Sequence, residues 1–502
     1  MRKIVGLCMA LLTLGALAGA TPRYGGTLTI AMEYDPATLD PLAMTDTPAS
    51  NVFMHVAEAL FRLGPGGELE YILAKSFESS DDGLVWTFYL REGVKFHDGT
   101  PFNAEAAKWN LLRFRDKAIF GPTLGMNYIA DIEVIDDHTM RMHLSAPFAP
   151  LLVGLAHSFT GVVSPAAVAA GVDHPVGTGP FMFVRWIPGT ELVLARNPNY
   201  WGEGPYLDRL VFLPIPEGGT RVMKLLTGEV DVTTVVPPDD VPIVNADPKT
   251  EVVIIPSLTI QYVGMNCQRG PLANPLVRQA LNYAVDKQEI VDFVFGGFAS
   301  VAAAPFSPGV FGYHAPGPYV YDVEKAKDLL AKAGYPNGFK TTLRYNPGWR
   351  TLGAEVIQAQ LKVVGIDVEL ISMEWGSYLD FTLRPVDRSE TDLYMLGWST
   401  VTGDADYTLY SLFHGTQWAP AGSNRSFYKN ETVDDLLTAA RTTPVPELRE
   451  QYYAQAIELI WNEAPWLFLL NPDHRYGVRT NVRGLVFHPN FTVQAHRAWL
   501  DN

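Results

Sequence analysis

From Thr21 to Asn502, strand-like and helix-like segments are interleaved, with no internal repeat, low-complexity tract or flexible linker between them. A chain patterned this way buries sheets beneath helices, which favours α/β layers over a β-sandwich. Strand signals are dense early: residues 26–32, 84–90 and 140–144 are rich in β-branched or aromatic side chains and bounded by Gly, Pro or Asp. Helix signals are as legible. Asn103 is placed to cap a helix carrying Ala106, Trp109 and Leu112 at three-residue spacing, with Glu105 against the positive end of its dipole. Asn274-Pro275 opens another with Val277, Leu281 and Ala284 on one face, and Asp286 caps the next, which stops at Gly296-Gly297. Asp322 begins a helix ending at Gly334 before the turn Tyr335-Pro336-Asn337-Gly338, and a last pair covers residues 432–441 and 446–463. At about 150 residues per domain, the 502 residues amount to roughly three domains.

The first twenty residues read as an export signal: Arg2 and Lys3 form a positive start, residues 4–18 are apolar, and Ala18-Gly19-Ala20 supplies small residues for cleavage after Ala20. Cleavage removes Cys8, which lies inside the apolar run with no small-small-Cys triplet, an arrangement that argues against a lipid anchor. Cys267 then stands alone in an exported chain and reads as a small buried hydrophobe. No later window reaches 18 uninterrupted apolar residues, so a soluble periplasmic protein is expected. The formal charge of −16 and the lack of any basic run exclude a nucleic-acid surface.

Catalytic signatures are missing. The chain holds no G-x-S-x-G elbow, no S-x-x-K, no H-E-x-x-H and no Walker loop, and its eleven histidines lack metal-site spacing. No cofactor and no metal are expected. Gly177-Thr178-Gly179-Pro180 reads as a turn and not a phosphate cradle, because Pro180 removes a backbone donor where one is needed.

Aromatic residues are more informative. Several of the 11 tryptophans sit beside turn residues, as Trp349 and Arg350 do after Asn346-Pro347-Gly348. Such rings either fill a large core or line a cleft that buries a small organic ligand. Trp398 inclines to the cleft, because Leu393-Tyr394-Met395-Leu396 reads as a buried strand ending at Gly397, followed by a polar loop through Thr402, Asp404 and Asp406. Ligands sit at strand ends in α/β lobes. Asp404 and Asp406 are placed either to hold a ligand ammonium or to cap the loop.

The segment Leu90-Arg91-Glu92-Gly93-Val94-Lys95-Phe96-His97-Asp98-Gly99-Thr100-Pro101-Phe102 resembles the signature of the family 5 extracytoplasmic solute-binding proteins of ABC importers. Thr38-Leu39-Asp40-Pro41, Val176-Gly177-Thr178-Gly179-Pro180-Phe181, Asn199-Tyr200-Trp201, Asn274-Pro275-Leu276-Val277-Arg278-Gln279-Ala280-Leu281-Asn282-Tyr283-Ala284 and Ala333-Gly334-Tyr335-Pro336-Asn337-Gly338-Phe339 follow in the family's order, so the resemblance spans the whole exported chain. It implies a two-lobed α/β periplasmic-binding-protein fold (type II, cluster C) with an extra domain inserted near the N-terminus. The expected parts are lobe I (21–55, 178–265 and 480–502), the inserted domain (56–177) and lobe II (266–479). It also implies a monomer that closes over a peptide-like solute without covalent chemistry and delivers it to a membrane permease.

Where peptide receptors of the family keep an Asp for the ligand's α-ammonium, three positions beyond the residue matching Trp398, this chain has Val401. The later Asp404 and Asp406 resemble the glutathione-binding branch. Arg350 falls near the family's carboxylate-binding Arg, a role its planar fork suits. Tyr262 and Asn266, on an apparent crossover strand from 260 to 266, and Tyr128 in the inserted domain complete the residues expected to line the cleft, alongside purely structural roles for each. A non-peptide solute, either a metal chelate or an oligosaccharide, is the alternative on the same fold, and a secreted hydrolase is the reading from another class.

Overall fold

The computed structural model describes residues 21–501, so the export segment and its cleavage point lie outside the described residues. Its first sheet is built around strand β1 (Thr27–Met32), which runs parallel to Arg209–Pro214 and Val232–Thr233 and is extended antiparallel by Glu191–Arg196 and Phe181–Ile187. Helix α1 (Thr47–Val56) follows, capped by Asp46, whose carboxylate accepts from Ala49 N. Its Val52 and Val56 face the first lobe, while Phe53 and Ala49 enter the core of the inserted domain. The helix therefore ties the two together.

The inserted domain is a four-stranded antiparallel sheet of Ala74–Ser79, Val85–Leu90, Thr139–Leu144 and Ile129–Asp136, covered by the helix Ala104–Lys117. Strict alternation puts Trp86, Phe88 and Leu90 inward against Met140, Met142, Leu111 and Phe114. Asn103 caps the helix through Ala106 N, as the sequence predicts. Gly177 and Gly179 are where this domain returns to α1: a Cβ on Gly177 would lie 2.1 Å from Val56 O, and Gly179 N donates to that same carbonyl. The glycines serve close backbone approach, in keeping with a turn.

Two strands leave the first lobe in line with strands of the second. Strand β2 (Thr250–Pro256) belongs to the first sheet and β3 (Thr259–Met265) to the second. Further along come β4 (Lys340–Tyr345), helix α2 (Trp349–Val363), β5 (Leu393–Ser399), helices α3 (Ala405–Phe413), α4 (Glu431–Thr442) and α5 (Pro446–Glu463), and the long strand β6 (Trp466–Arg479). One half of β6, Trp466 to Leu470, pairs with β3, and the other, Asp473 to Arg479, pairs with β2. The chain thus crosses between lobes at Ser257-Leu258 and at Asn471-Pro472. This corrects the expected boundaries at 265 and 480: β3 pairs in the second sheet and the end of β6 in the first, because one short break redirects an otherwise continuous apolar strand. The crossings are held by buried hydrogen bonds, with Asn471 Nδ2 donating to Thr259 O (2.9 Å) and to Ser307 Oγ (2.8 Å). Cys267 is free and buried, and desolvation pushes its thiol up to about 11, so it behaves as a hydrophobe.

Candidate functional site: the carboxyl end of strand β5

Strand β5 pairs with β3 along its whole length, from Met265 opposite Leu393 to Thr259 opposite Ser399. On its other side β4 pairs only with Leu393 and Tyr394 before the chain turns into α2. From Met395 onward that edge has no neighbouring strand among the described residues, and its end lies at the crossing, where Thr400 N donates to Leu258 O. Tyr378 Oη donates to Met395 O at 2.6 Å, which covers the start of the edge, and Val401 N donates to Ser399 O at 2.9 Å, which closes its end and leaves Gly397 between them. Trp398 lies there, half-buried, its ring 5.2 Å from that of Tyr407. Its indole N–H and the Ser399 hydroxyl are both buried without a hydrogen-bond partner. Arg350 stands in the first turn of α2. It donates one hydrogen bond to Asn346 Oδ1 (3.1 Å) and lies over the Trp349 ring, while its Nε is buried and unpartnered. Burial lowers its pKa from the ordinary guanidinium value.

The segment after β5 is compact and self-satisfied. Thr402 Oγ1 accepts from Asp404 N, and Asp404 caps α3 by accepting from Asp406 N at 3.0 Å. Asp404 also receives Arg449 Nη2 at 2.8 and 2.9 Å and the Tyr453 hydroxyl at 3.3 Å, with both charged groups buried. Burial pushes the Asp404 carboxyl up against the pull of Arg449. Desolvation opposes the charge on Arg449, yet the Asp404 carboxylate holds its pKa above the ordinary value. Asp406 forms a two-point pair with Arg441, at 2.9 Å from Nε and 2.7 Å from Nη2. Arg441 in turn is where the inserted domain rests on lobe II. Its guanidinium lies 3.3 Å from the Tyr410 ring centroid and 5.6 Å from that of Phe148, and its carbonyl accepts from Ala149 N at 2.8 Å. Tyr128 stacks on Phe148 at 4.5 Å.

Facing β5 across the interlobe space is a wall from α1 and the C-terminal segment. Glu58, Arg62, His157, His488 and Thr492 surround a cavity to which lobe II contributes Val401. Glu58 is buried, and among the described residues no cation lies at ion-pair distance from it. Three neutral donors converge on it, from Thr178 Oγ1, Tyr200 Oη and Trp201 Nε1 at 2.9, 2.7 and 2.8 Å, while desolvation raises its pKa. Among the described residues no group of three or more His, Cys, Asp or Glu side chains is placed to hold a metal ion, and no helix is long and apolar enough to cross a membrane.

Residues 68–420 match the family described as bacterial extracellular solute-binding proteins, family 5. The chain belongs to this family. It is 36% identical over 442 residues to the glutathione-binding protein GsiB of Escherichia coli (strain K12), covering 86% of each chain. Among solved structures it resembles the periplasmic binding protein DppA of Helicobacter pylori in complex with the peptide STSA (33% identity, TM-score 0.81, 96% and 99% of the two chains covered). It also resembles HbpA2 of Haemophilus parasuis (30% identity, TM-score 0.86, 95% and 100% covered).

Within this solute-binding protein the expected residues do not form one cluster. Trp398 and Arg350 stand at the open strand edge with unpartnered donors. Thr402, Asp406 and Tyr128 come together, with Phe148 and Arg441, at the contact between the inserted domain and lobe II, and Asp404 is enclosed by Arg449 and Tyr453. Tyr262 is fully buried, stacked on Trp466 at 3.6 Å, and burial pushes its phenol up to about 12. Asn266 is a correction: the pairing register puts it beyond Met265, at the end of β3 remote from Trp398, where its amide donates to Thr391 O and accepts from Gln268 N. Seven residues from Thr259 at about 3.3 Å each make some 23 Å. Glu58, Arg425, Arg441 and Arg449 went unnoticed in the sequence. None lies in a spacing motif: Glu58, Arg441 and Arg449 take their partners from more than 30 residues away, and the buried Nε of Arg425 has none among the described residues.

Proposed function

We propose that the protein is the periplasmic receptor of an ABC importer, binding a short peptide with glutathione or a γ-glutamyl peptide favoured. It acts as a monomer, closes about its two strand crossings, and hands the unaltered solute to a membrane permease. The observation that carries this reading is the strand edge of β5 at Gly397, beside Trp398 and Arg350. An extended peptide adds to such an edge through main-chain hydrogen bonds, with side chains taken up alternately. Trp398 offers a flat apolar face, and Arg350, at the positive end of α2, offers a fork to a carboxylate. The relatives named glutathione-binding protein and the neighbour holding the peptide STSA support the same solute class.

The two aspartates are not needed as ammonium anchors in this reading, since Arg449 and Arg441 occupy them. Val401 faces the cleft where an acidic residue would recognise a free peptide N-terminus. Closure is favoured by whatever the ligand touches on both lobes and by the contact of Phe148 and Ala149 with Arg441. A Kd on the order of micromolar, about −8 kcal/mol, suits capture followed by release. Calorimetric titration of the ligand-stripped exported chain with glutathione, dipeptides and tripeptides tests the proposal. Binding heat with glutathione or a short peptide supports it, and no heat and no thermal shift with any of them refutes it.

A further inference from the structure

The cavity beside Val401 has mostly apolar walls, from Met54 of α1, Phe61, Leu63, Ile72 and Val153, with Val401 on the side of lobe II. Two charged side chains reach it, and both are already satisfied. Glu58 accepts three hydrogen bonds, and Arg62 donates to Glu70 Oε2 from Nε at 2.8 Å and from Nη2 at 2.6 Å. His157 is neutral, because burial lowers its pKa from 6.5 to about 4, and its Nδ1 accepts from Phe159 N. A charged group entering this space is desolvated with no counter-ion to meet it, whereas an apolar group gains by leaving water.

One wall of the cavity belongs to a hairpin of the inserted domain. Residues Phe61–Leu63 pair antiparallel with Leu69–Tyr71, joined by the turn Gly64-Pro65-Gly66-Gly67-Glu68. The base of the hairpin is fixed, since Phe61 is fully buried, with ring centroids 5.5 Å from Tyr71 and 6.0 Å from Phe77. Its far end reaches lobe II. A Cβ added to Gly403 would lie 3.5 Å from Leu63 Cδ1, and one added to Gly67 would lie 3.8 Å from Gly309 O. Gly309 and Gly403 belong to one surface, because Phe311 N donates to Gly403 O at 2.8 Å and Ala405 N donates to Phe311 O at 3.0 Å. The buried Asp404–Arg449 pair supports that surface, with the guanidinium 4.9 Å from the centroid of the Phe311 ring. Leu63 and Val401 thus line the cavity from opposite sides of the cleft, close to where hairpin and lobe II touch.

We propose that this cavity is a closed compartment for one uncharged, apolar side chain of the solute, roofed by the hairpin Phe61–Tyr71 when the lobes come together. This rests on the receptor reading above and narrows its solute class. The room is about 60 Å³, and because one water needs about 10–15 Å³, it takes about four to six heavy atoms. A cysteine, valine, leucine or methionine side chain fits within that space, and an indole exceeds it. Aspartate and lysine side chains fit by size and are rejected by charge. The thiol-bearing side chain of glutathione meets both conditions.

Calorimetry on the ligand-stripped exported chain, Leu63→Ala and Val401→Asp tests this with trialanine and with tripeptides carrying leucine, aspartate, lysine or tryptophan at each position in turn. At one position leucine should bind about tenfold or more tighter than alanine, since each buried carbon is worth about fourfold, while aspartate, lysine and tryptophan gain nothing. Leu63→Ala should lose most of the leucine gain and keep its affinity for trialanine, a split that a damaged fold does not produce. In Val401→Asp lysine should overtake leucine at the same position. The absence of a leucine gain at every position, an equal gain for aspartate or lysine, or the full leucine gain kept in either variant overturns the inference. Should Val401→Asp fail to fold, Leu63→Ala decides alone. If no tripeptide binds the wild type, the receptor reading fails, and thermal shift with N-acetyl-leucinamide, an uncharged probe, judges the compartment separately. Stabilisation of the wild type that is lost in Leu63→Ala supports it, and stabilisation that persists there or is absent from the wild type refutes it.

Discussion

Replacing Asp406 and Arg441 together by neutral groups, Asp406→Asn with Arg441→Met, separates a closure contact from a ligand anchor. Both residues belong to lobe II, so their ion pair survives opening; what opening breaks is the contact of Arg441 with Phe148 at 5.6 Å and the Ala149 N–H to Arg441 carbonyl bond at 2.8 Å. The double substitution removes the first and leaves the second, which is backbone. A cation–π contact in a partly desolvated setting is worth about 1 kcal/mol. Removing it from the closed state alone lowers ligand affinity about fivefold, expressed mainly as faster dissociation. Neutralising a buried ion pair with groups of similar volume is often close to neutral for stability, so the unliganded melting temperature should barely move. Stopped-flow tryptophan fluorescence with glutathione, alongside calorimetry, measures both quantities. Arg441→Met alone sharpens the test. It leaves Asp406 buried and unpaired, costing about 3–5 kcal/mol of stability, and it should still weaken binding. If it tightens binding instead, the freed carboxylate is meeting a ligand ammonium and the closure argument is wrong; unchanged affinity in the double variant refutes it equally.

Other consequences are as open to measurement. Trp398→Ala should weaken peptide binding by about 1–3 kcal/mol, the usual cost of losing a buried aromatic at a binding hot spot, and should abolish ligand-induced quenching; undiminished affinity by calorimetry would remove Trp398 from the site. Val401→Asp places a carboxylate in the cleft wall and should raise affinity for zwitterionic dipeptides relative to their N-acetylated forms, which a paired titration reads directly. His55 accepts from Ala495 N on Nε2 and so donates from Nδ1 to Asn51 O, a pattern only the neutral ring can make, and burial lowers its pKa from 6.5 to about 4. Because the unfolded chain takes up this proton first, His55 costs no stability above pH 6.5 and about 1.4 kcal/mol per pH unit as pH falls from 6.5 towards 4. Urea midpoints should therefore drop less on acidification in His55→Gln than in the wild type, and parallel curves for the two proteins would refute the assignment.

Much of the fold was legible because its signals are local. The caps at Asn103, Asn274, Asp286 and Asp322 all accept from the backbone N–H groups expected of them, and the last helix runs Pro446–Glu463 as its pattern requires. The end of β5 was harder. Residues 393–396 announce a strand, but the strand continues through Gly397 and Trp398 to Ser399 because β3 supplies hydrogen bonds along its full length. Likewise residues 399–406 read as one polar loop, whereas α3 already begins at Ala405, its start fixed by the Asp404 cap. Trp398 was singled out from strand-end chemistry and Arg350 from the family resemblance; the structure puts the first on β5 and the second in the first turn of α2. Asn266 was misplaced because spacing along a strand does not reveal which of its ends faces the cleft.

The two aspartates show why charge in a loop is an incomplete guide to binding. Asp404 and Asp406 are two residues apart, and their partners Arg449 and Arg441 lie eight residues apart on two helices that meet through a short connection, a match that exists only after α4 and α5 have packed beside α3. Once those pairs form, the acidic segment contributes no net charge. Among the described residues neither Arg350 nor Arg425 has a carboxylate at ion-pair distance, so the charge left without an ion pair on these elements is basic and not acidic.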